Sequence, residues 1–258
     1  MTKRARGTSP LSSRQSLRGP DVFGTALVDW VHGGTEPEVF ERSDGYFHVG
    51  DGRHAYLAAA RQWHDAERRA LRQVRGRVLD VGCGAGRVSL ELQRRGVDVV
   101  ATDASDLAVR AARQMGVKKV WRKSIAELNS ELAKFDSFVL YGNNFGMLGT
   151  PVATQRWFCQ WAALTRPDAR IFAGSVNPYC GGAPAMTRGY YQLNKESGRP
   201  PGQVTLRYWY GGEVGPWTKW LFVSQSEMRM LLRGTGWFVE SVVTSGPSVP
   251  YVSILAKQ

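Results

Sequence analysis

Two aspartates and a run of glycines are the residues of this chain best placed to hold a ribose-bearing ligand. Asp80 lies within Val78-Leu79-Asp80-Val81-Gly82-Cys83-Gly84-Ala85-Gly86-Arg87, and Asp103 follows the loop at the end of the next apolar run. Small residues let the backbone approach a ligand at the carboxyl end of a strand, and an acid about twenty residues further on accepts hydrogen bonds from two ribose hydroxyls. The spacing is Gly-x-Gly-x-Gly, not the Gly-x-Gly-x-x-Gly of dinucleotide loops, and the Gly-Lys-Ser/Thr ending of a P-loop is missing. A ligand with a ribose and no pyrophosphate therefore fits better than NAD. Bland alternatives stay open: Asp80 could only orient loop amides, and Asp103 could be a helix N-terminal acid favoured by the dipole. Groups able to take a proton are few, namely His32, His48, His54, His64 and Glu213.

The elements that must position these residues follow from periodicity. Arg77 to Val81 reads as a strand, Gly86 to Arg95 as a helix, and Val97 to Thr102 as a second strand. Ser105 can cap a helix to Met115. Lys118 to Trp121 is a short strand, and Ser124 with Glu127 forms a capping box opening a helix to Leu132. Phe135 to Tyr141 is a fourth strand, Thr150-Pro151 starts a helix to about Thr165, and Ala169 to Gly174 is a fifth strand. Apolar strands alternating with helices mean an α/β fold: a doubly wound, mostly parallel seven-stranded sheet with helices on both faces and an antiparallel last strand. Upstream, Arg53 to Val74 has one apolar face and reads as a helix. Downstream, Asn177 to Gly202 reads as irregular, and Val204 to Tyr210 with Trp217 to Val223 as an inserted β-hairpin. Ser224 caps a helix, and Trp237 to Thr244 and Tyr251 to Ala256 close the sheet. The expected division is a tail over 1–20, an N-terminal lid and helix over 21–75, and an α/β domain over 76–258 with an insertion at about 175–223.

The totals set bounds. A chain of 258 residues with 43% hydrophobic and 22% charged residues can build one large α/β domain. No apolar run is long enough to span a bilayer, and no secretory signal is read, so a cytoplasmic setting is expected. Cys83, Cys159 and Cys180 are odd in number and widely spaced, which gives neither a disulfide set nor a zinc site, and no metal is expected. The net charge of +12 invites a nucleic-acid partner. Part of it, however, sits in Lys3, Arg4, Arg6, Arg14 and Arg18 of a tail whose composition reads as disordered. The remaining arginines lie beside Glu and Gln, and a solvated basic surface is the stronger reading.

The segment Val78 to Arg87 resembles motif I of class I, Rossmann-like S-adenosylmethionine-dependent methyltransferases, and the likeness runs through Asp103, Ser124-Ile125-Ala126, the fourth strand and the closing strands. Several small-molecule members also carry a hairpin insertion, a Ser-capped helix and Gly-Thr-Gly-Trp, as in Gly215 to Trp237 here. The resemblance implies S-adenosylmethionine as cofactor and S-adenosylhomocysteine as product. It implies that Asp80, Gly82, Cys83, Gly84 and Gly86 hold the methionine part, and that Asp103 holds the ribose. Ala104, Ser124 and Ile125 would lie by the adenine, although such enzymes often have an acid where this chain has Ser124. Tyr141 and Gly142 would line the cofactor, and Tyr46 and His48 would belong to a lid folded over it. His48 is then the candidate base and Asn143 the acceptor-orienting residue. Aromatics of the insertion, Tyr179, Tyr190, Tyr191, Tyr208, Trp209, Tyr210 and Trp217, suit a flat or partly apolar small-molecule acceptor. An RNA or protein methyltransferase is the second reading, a nicotinamide oxidoreductase the third, and a non-catalytic cofactor binder the fourth. Oligomeric state is not readable.

Overall fold

The structure, a computed structural model, describes residues 19–179, 185–246 and 250–258. The basic tail over 1–18, Cys180 and Pro247 lie outside the described residues. In chain order the elements are α1 (Val22–Val31), β1 (Val39–Arg42), β2 (Phe47–Val49), α2 (Arg53–Tyr56), α3 (Asp65–Leu71), β3 (Val78–Val81), α4 (Arg87–Arg94), β4 (Val99–Asp103), α5 (Asp106–Gln114) and β5 (Val120–Arg122). They continue as β6 (Ser137–Leu140), α6 (Pro151–Leu164), β7 (Arg170–Ser175), α7 (Ala185–Glu196), β8 (Gln203–Tyr210), β9 (Glu213–Val214), β10 (Thr218–Leu221), α8 (Gln225–Leu231), β11 (Trp237–Val243) and β12 (Tyr251–Lys257).

Among the described residues, seven strands form one sheet in the order β11-β12-β7-β6-β3-β4-β5. The pairs from β7 to β5 are parallel, and β12 runs antiparallel to both β7 and β11. This is the expected doubly wound sheet. Alternation along the strands feeds two apolar layers. Val78, Val139, Phe172 and Ile254 meet Ala66, Ala70, Val88 and Leu92 of α3 and α4. Leu79, Phe138, Ile171 and Leu255 meet Phe158 and Trp161 of α6 and Met228 of α8. Strand order reverses between β3 and β6, so the carboxyl ends of β3, β4 and β6 open a crevice where such sheets bind ligands. The predicted caps are present: Ser105, Thr150 and Ser224 each accept an amide hydrogen bond at the start of α5, α6 and α8.

The second sheet joins sequence-distant pieces. Its path is β10-β8-β1-β2, with β9 on β8, all antiparallel. The inserted hairpin is thus paired with two strands from the N-terminal stretch. We call it the cap sheet. It sits beside α1, whose Asp21 cap also bonds the Ser105 hydroxyl at the start of α5.

Three elements differ from expectation. The helix over 53–74 is broken into α2, a 3₁₀ turn at Ala60–Gln62, and α3. An unbroken helix would put Tyr56 and Trp63 on one face. Here Tyr56 stacks on Trp30 at 5.4 Å, while Trp63 lies under the Arg87 guanidinium at 4.6 Å. The helix from Ser124 becomes two 3₁₀ turns, although the Ser124–Glu127 capping box forms. The irregular stretch contains α7, whose buried residues Thr187 and Asn194 tie it to other elements, Thr187 accepting from Arg42. Asn194 donates to the Pro201 and Gln203 carbonyls, a tie that the Gly- and Tyr-rich composition hid. No helix among the described residues is long and apolar enough to cross a membrane.

Candidate active site

The glycine loop leaves β3 with Gly82, Gly84 and Gly86 all at positive φ, of 70°, 54° and 88°. Backbone bonds from Gly82 and Cys83 to the Thr102 carbonyl clamp it to the end of β4. Asn144 reaches back from beyond β6, its amide nitrogen donating to the carbonyls of Val81 and Gly82 at 2.9 and 2.8 Å. The loop's shape is therefore held by three elements, not by glycine alone.

A cavity of about 410 Å³ opens on this loop. Ten of the expected cofactor residues line it: Asp80, Gly82, Cys83, Gly84, Asp103, Ala104, Ser124, Ile125, Tyr141 and Gly142. Gly86 and Tyr46 do not. Gly86 is a packing residue, because a methyl there would overlap the Val117 side chain. Gly86→Ala should therefore cost about 2–4 kcal/mol of stability, from the overlap and the left-handed backbone together, without touching the cavity wall. Urea denaturation checks this, and a loss below about 1 kcal/mol would remove the packing role.

Asp80 is 2% exposed and accepts a 2.7 Å bond from Ser89, itself fully buried. Burial pushes its carboxyl up to about 6, against the pull of Ser89 and Arg87. Asp103 accepts from the amides of Gly84 at 2.9 Å and Ser105 at 3.0 Å. Burial raises it too, with those amides opposing. An ionised carboxylate offers about four lone-pair sites, and these two amides fill about half of them. The remainder can accept from vicinal hydroxyls. The wall thus offers a buried carboxylate, Asp80, and a half-buried one, Asp103, to a ligand carrying cationic and hydroxyl groups, and Ala104 and Ile125 supply apolar wall beyond Asp103. S-Adenosylmethionine, with an ammonium, a sulfonium, a ribose diol and an adenine, fits that donor and acceptor set.

Next to it lies a second cavity of about 380 Å³ beneath the cap sheet. Tyr46, His48 and Asn143 line this one, with Phe40, Tyr191, Leu206 and Phe222 among its other walls. The two cavities share Tyr56, Gly142, Tyr208 and Trp220. His48 is on the edge strand β2, exposed, its ring 6.1 Å from Phe40. Asn143 is the non-glycine residue at positive φ among those described (64°), and its Oδ1 is buried with no hydrogen-bond partner. A buried acceptor without a partner is uncommon and calls for a specific explanation. A third space of about 660 Å³, walled by His54, Trp63, His64, Asn143 and Ser175, adjoins it.

The flagged aromatics of the insertion divide. Tyr191 and Tyr208 face the cap-sheet cavity. Tyr190 lies on the Arg42 guanidinium, Tyr210 bonds Asp29, and Tyr179 bonds Glu227. Trp209 and Trp217 lie against Arg207 on the opposite face of the cap sheet.

Three residues escaped the sequence reading. Tyr56 touches both cavities. Glu38, 1% exposed, accepts from the Gly52 amide at 3.0 Å and faces the Tyr56 hydroxyl; burial holds it above the usual carboxylate range. Glu67 forms a bidentate pair with Arg87 at 2.8 and 2.9 Å, and the same carboxylate accepts from the Gly142 amide while its own carbonyl accepts from Tyr141. None sits in a motif, and pairing across fourteen residues or more leaves no local trace.

Residues 78–168 match the model of a family described as a methyltransferase domain. A ribosomal protein L11 methyltransferase of Campylobacter hominis is 39% identical over 71 residues, which cover 25% of this chain and 24% of that protein. A ubiquinone biosynthesis O-methyltransferase of Xanthomonas axonopodis pv. citri is 30% identical over 144 residues, 47% of this chain and 59% of that protein. The chain thus spans less than two thirds of the length of these relatives. An S-adenosylmethionine-dependent methyltransferase from Bacteroides fragilis, solved with S-adenosylhomocysteine, superposes with a TM-score of 0.76 at 24% identity, over 92% of this chain and 94% of that one. The CcbJ methyltransferase from Streptomyces caelestis follows at 0.53 and 13%, over 70% and 83%.

Proposed function

We propose that this chain, whose residues 78–168 carry a methyltransferase domain and whose fold is that of the class I enzymes, transfers a methyl group from S-adenosylmethionine to a small aromatic or partly apolar acceptor. The observation that carries this reading is the junction of two cavities at Tyr56, Gly142, Tyr208 and Trp220, one walled by the carboxylates of Asp80 and Asp103 and the other lined by aromatic rings. When bound, the donor supplies an electrophilic methyl group on sulfur. The protein's share is alignment and the exclusion of water.

In this reading Asp103 holds the ribose, Ala104, Ser124 and Ile125 border the adenine, and Asp80 with the loop backbone holds the methionine end. The Asn143 Oδ1 accepts from a donor of the acceptor other than the reacting O–H or N–H and so turns it toward the cofactor cavity. His48, across the cap-sheet cavity, takes the proton. A volume of about 380 Å³ roofed by a sheet supports a small acceptor over a protein or RNA. The relative that bears on small acceptors is the ubiquinone biosynthesis enzyme. The ribosomal-protein relative matches only 71 residues, too short a stretch to carry an acceptor site. Free Cys83 and Cys159 go with a reducing, cytoplasmic setting.

Calorimetry with S-adenosylmethionine, S-adenosylhomocysteine and NAD tests the donor. Heat is expected from the two sulfur nucleosides and none from NAD; silence from both would sink the proposal. For the base, His48→Ala should slow single-turnover methylation of a phenolic acceptor by about 100-fold or more at neutral pH while leaving S-adenosylhomocysteine affinity unchanged. Full single-turnover rate in that variant removes the base assignment and leaves the donor reading standing.

A further inference from the structure

The cap sheet has two faces, and only one of them has work in the cavities. Registry separates them. Phe40, His48 and Tyr208 are cross-strand partners on the cavity side. Phe47, Glu41 and Arg207 are partners on the other side, as are Val49, Val39 and Trp209. That outer face is apolar and open: Phe47 is 54% exposed, Val49 59% and Trp217 45%. At its centre the Glu41 carboxylate accepts from Arg207 at 2.6 Å and from the Trp209 indole at 2.7 Å. The Arg207 guanidinium lies over both Trp209 and Trp217. Strand β2, at the end of the sheet path, has no strand on its outer edge among the described residues. Exposed apolar clusters of this kind mark contact surfaces, and a free apolar edge invites strand pairing.

We propose that the outer face of the cap sheet is an interface between two copies of this chain, related by a twofold axis. Charge selects the occupant. The chain carries a net +12, so an acidic partner would be drawn to its arginine-rich surfaces and two copies repel one another over most of theirs. The outer face is where a copy can approach: its central charges are one acid and one base already paired. In a self-matching contact each patch meets itself, so Glu41 of one copy can lie opposite Arg207 of the other. A single-sign patch could not do this. Single-stranded nucleic acid, which stacks on open rings and follows positive charge, is the less suited partner. The Arg207 guanidinium already covers the tryptophans, and Glu41 would repel phosphates. Four strands about 4.8 Å apart, of four, three, eight and four residues, give a face of roughly 300 Å². That is below the per-partner area of standard stable interfaces, so dissociation in the micromolar range is expected.

The test is sedimentation velocity of the full chain from about 1 to 200 µM. The wild type should pass reversibly from monomer to dimer in that range. Phe47→Glu with Trp217→Glu should stay monomeric throughout, with an unchanged circular-dichroism melt. Val49→Lys, which alters one exposed side chain, should weaken association by at least 10-fold and guards against misfolding of the double variant. Val152→Glu, 77% exposed on α6, should dimerise like the wild type. A wild type that stays monomeric at 200 µM overturns the proposal, as does a dimer that both patch variants leave intact. So does a monomer that dimerises only after removal of residues 1–18, because the face would then be covered from within the chain. Quenching of wild-type tryptophan fluorescence by oligouridylate, lost in the double variant, would assign the face to nucleic acid instead.

Discussion

Asp103→Ala is expected to weaken S-adenosylhomocysteine binding by at least about 100-fold, near 3 kcal/mol. The side chain acts in two directions at once. Toward the ligand it offers lone pairs for two ribose hydroxyls, and bonds to a charged acceptor contribute about 1.5–3 kcal/mol each. Toward the protein it accepts from the Gly84 and Ser105 amides, so its removal also frees the glycine loop at the point where the loop must stay open. Asp103→Asn separates the two effects. The amide oxygen can still accept from one backbone group, but its NH₂ must face a donor, so the loop is partly kept while ribose binding is lost. Titration calorimetry at neutral pH reads both variants. An affinity for Asp103→Ala within about threefold of wild type would falsify the ribose assignment. A loss in Asp103→Ala largely restored in Asp103→Asn would reduce Asp103 to a loop anchor.

Asp80→Asn should change stability and binding in opposite senses. Burial raises the Asp80 carboxyl to about 6 in the folded protein, whereas in the unfolded chain it titrates near an ordinary value of about 3.9. Below about pH 4 both states are protonated and the group contributes no difference. Between about 4 and 6 the folded state holds a proton that the unfolded state has released, so stability falls as pH rises through that window. Above about 6 the folded protein carries the full cost of a buried carboxylate, on the order of 1–3 kcal/mol. Asparagine removes that cost and can still accept from Ser89. The variant should therefore be more stable at pH 7, with Tm raised by a few degrees, and no more stable than wild type at pH 4. It should also bind S-adenosylhomocysteine about 10-fold or more weakly at pH 7, because the α-ammonium loses its counter-charge. Wild-type binding should weaken as pH falls through 6. Thermal melts at the two pH values and calorimetry decide the matter. A variant destabilised at pH 7 with unaltered affinity would show that Asp80 is a structural anchor.

That paired outcome would account for a buried acid with no cation bonded to it in the core of the sheet. Its nearest cation, Arg87, is committed to Glu67 and to the Trp63 ring. In the proposed reading the Asp80 charge awaits a cationic ligand, and the two measurements test whether the unliganded protein is less stable for it.

What the sequence determined by itself is the α/β sheet and its loop. Apolar strands alternating with capped helices admit few arrangements other than a doubly wound sheet, and the Gly-x-Gly-x-Gly spacing between Asp80 and Asp103 is a local pattern whose meaning survives any packing. Both lie within short stretches where period and spacing are enforced by the backbone, so ten of the residues expected around the cofactor meet on one cavity. The tertiary structure decided the rest. That β1, with β2 on its other side, pairs with β8 across more than 150 residues, that Tyr56 stands between two cavities, that Gly86 serves packing, and that Glu67 fastens Arg87 to Gly142 are long-range contacts. So is the division of the insertion's aromatics between the two faces of the cap sheet. Such contacts depend on which surfaces meet, and no period or motif in one segment records the partner it will find in another.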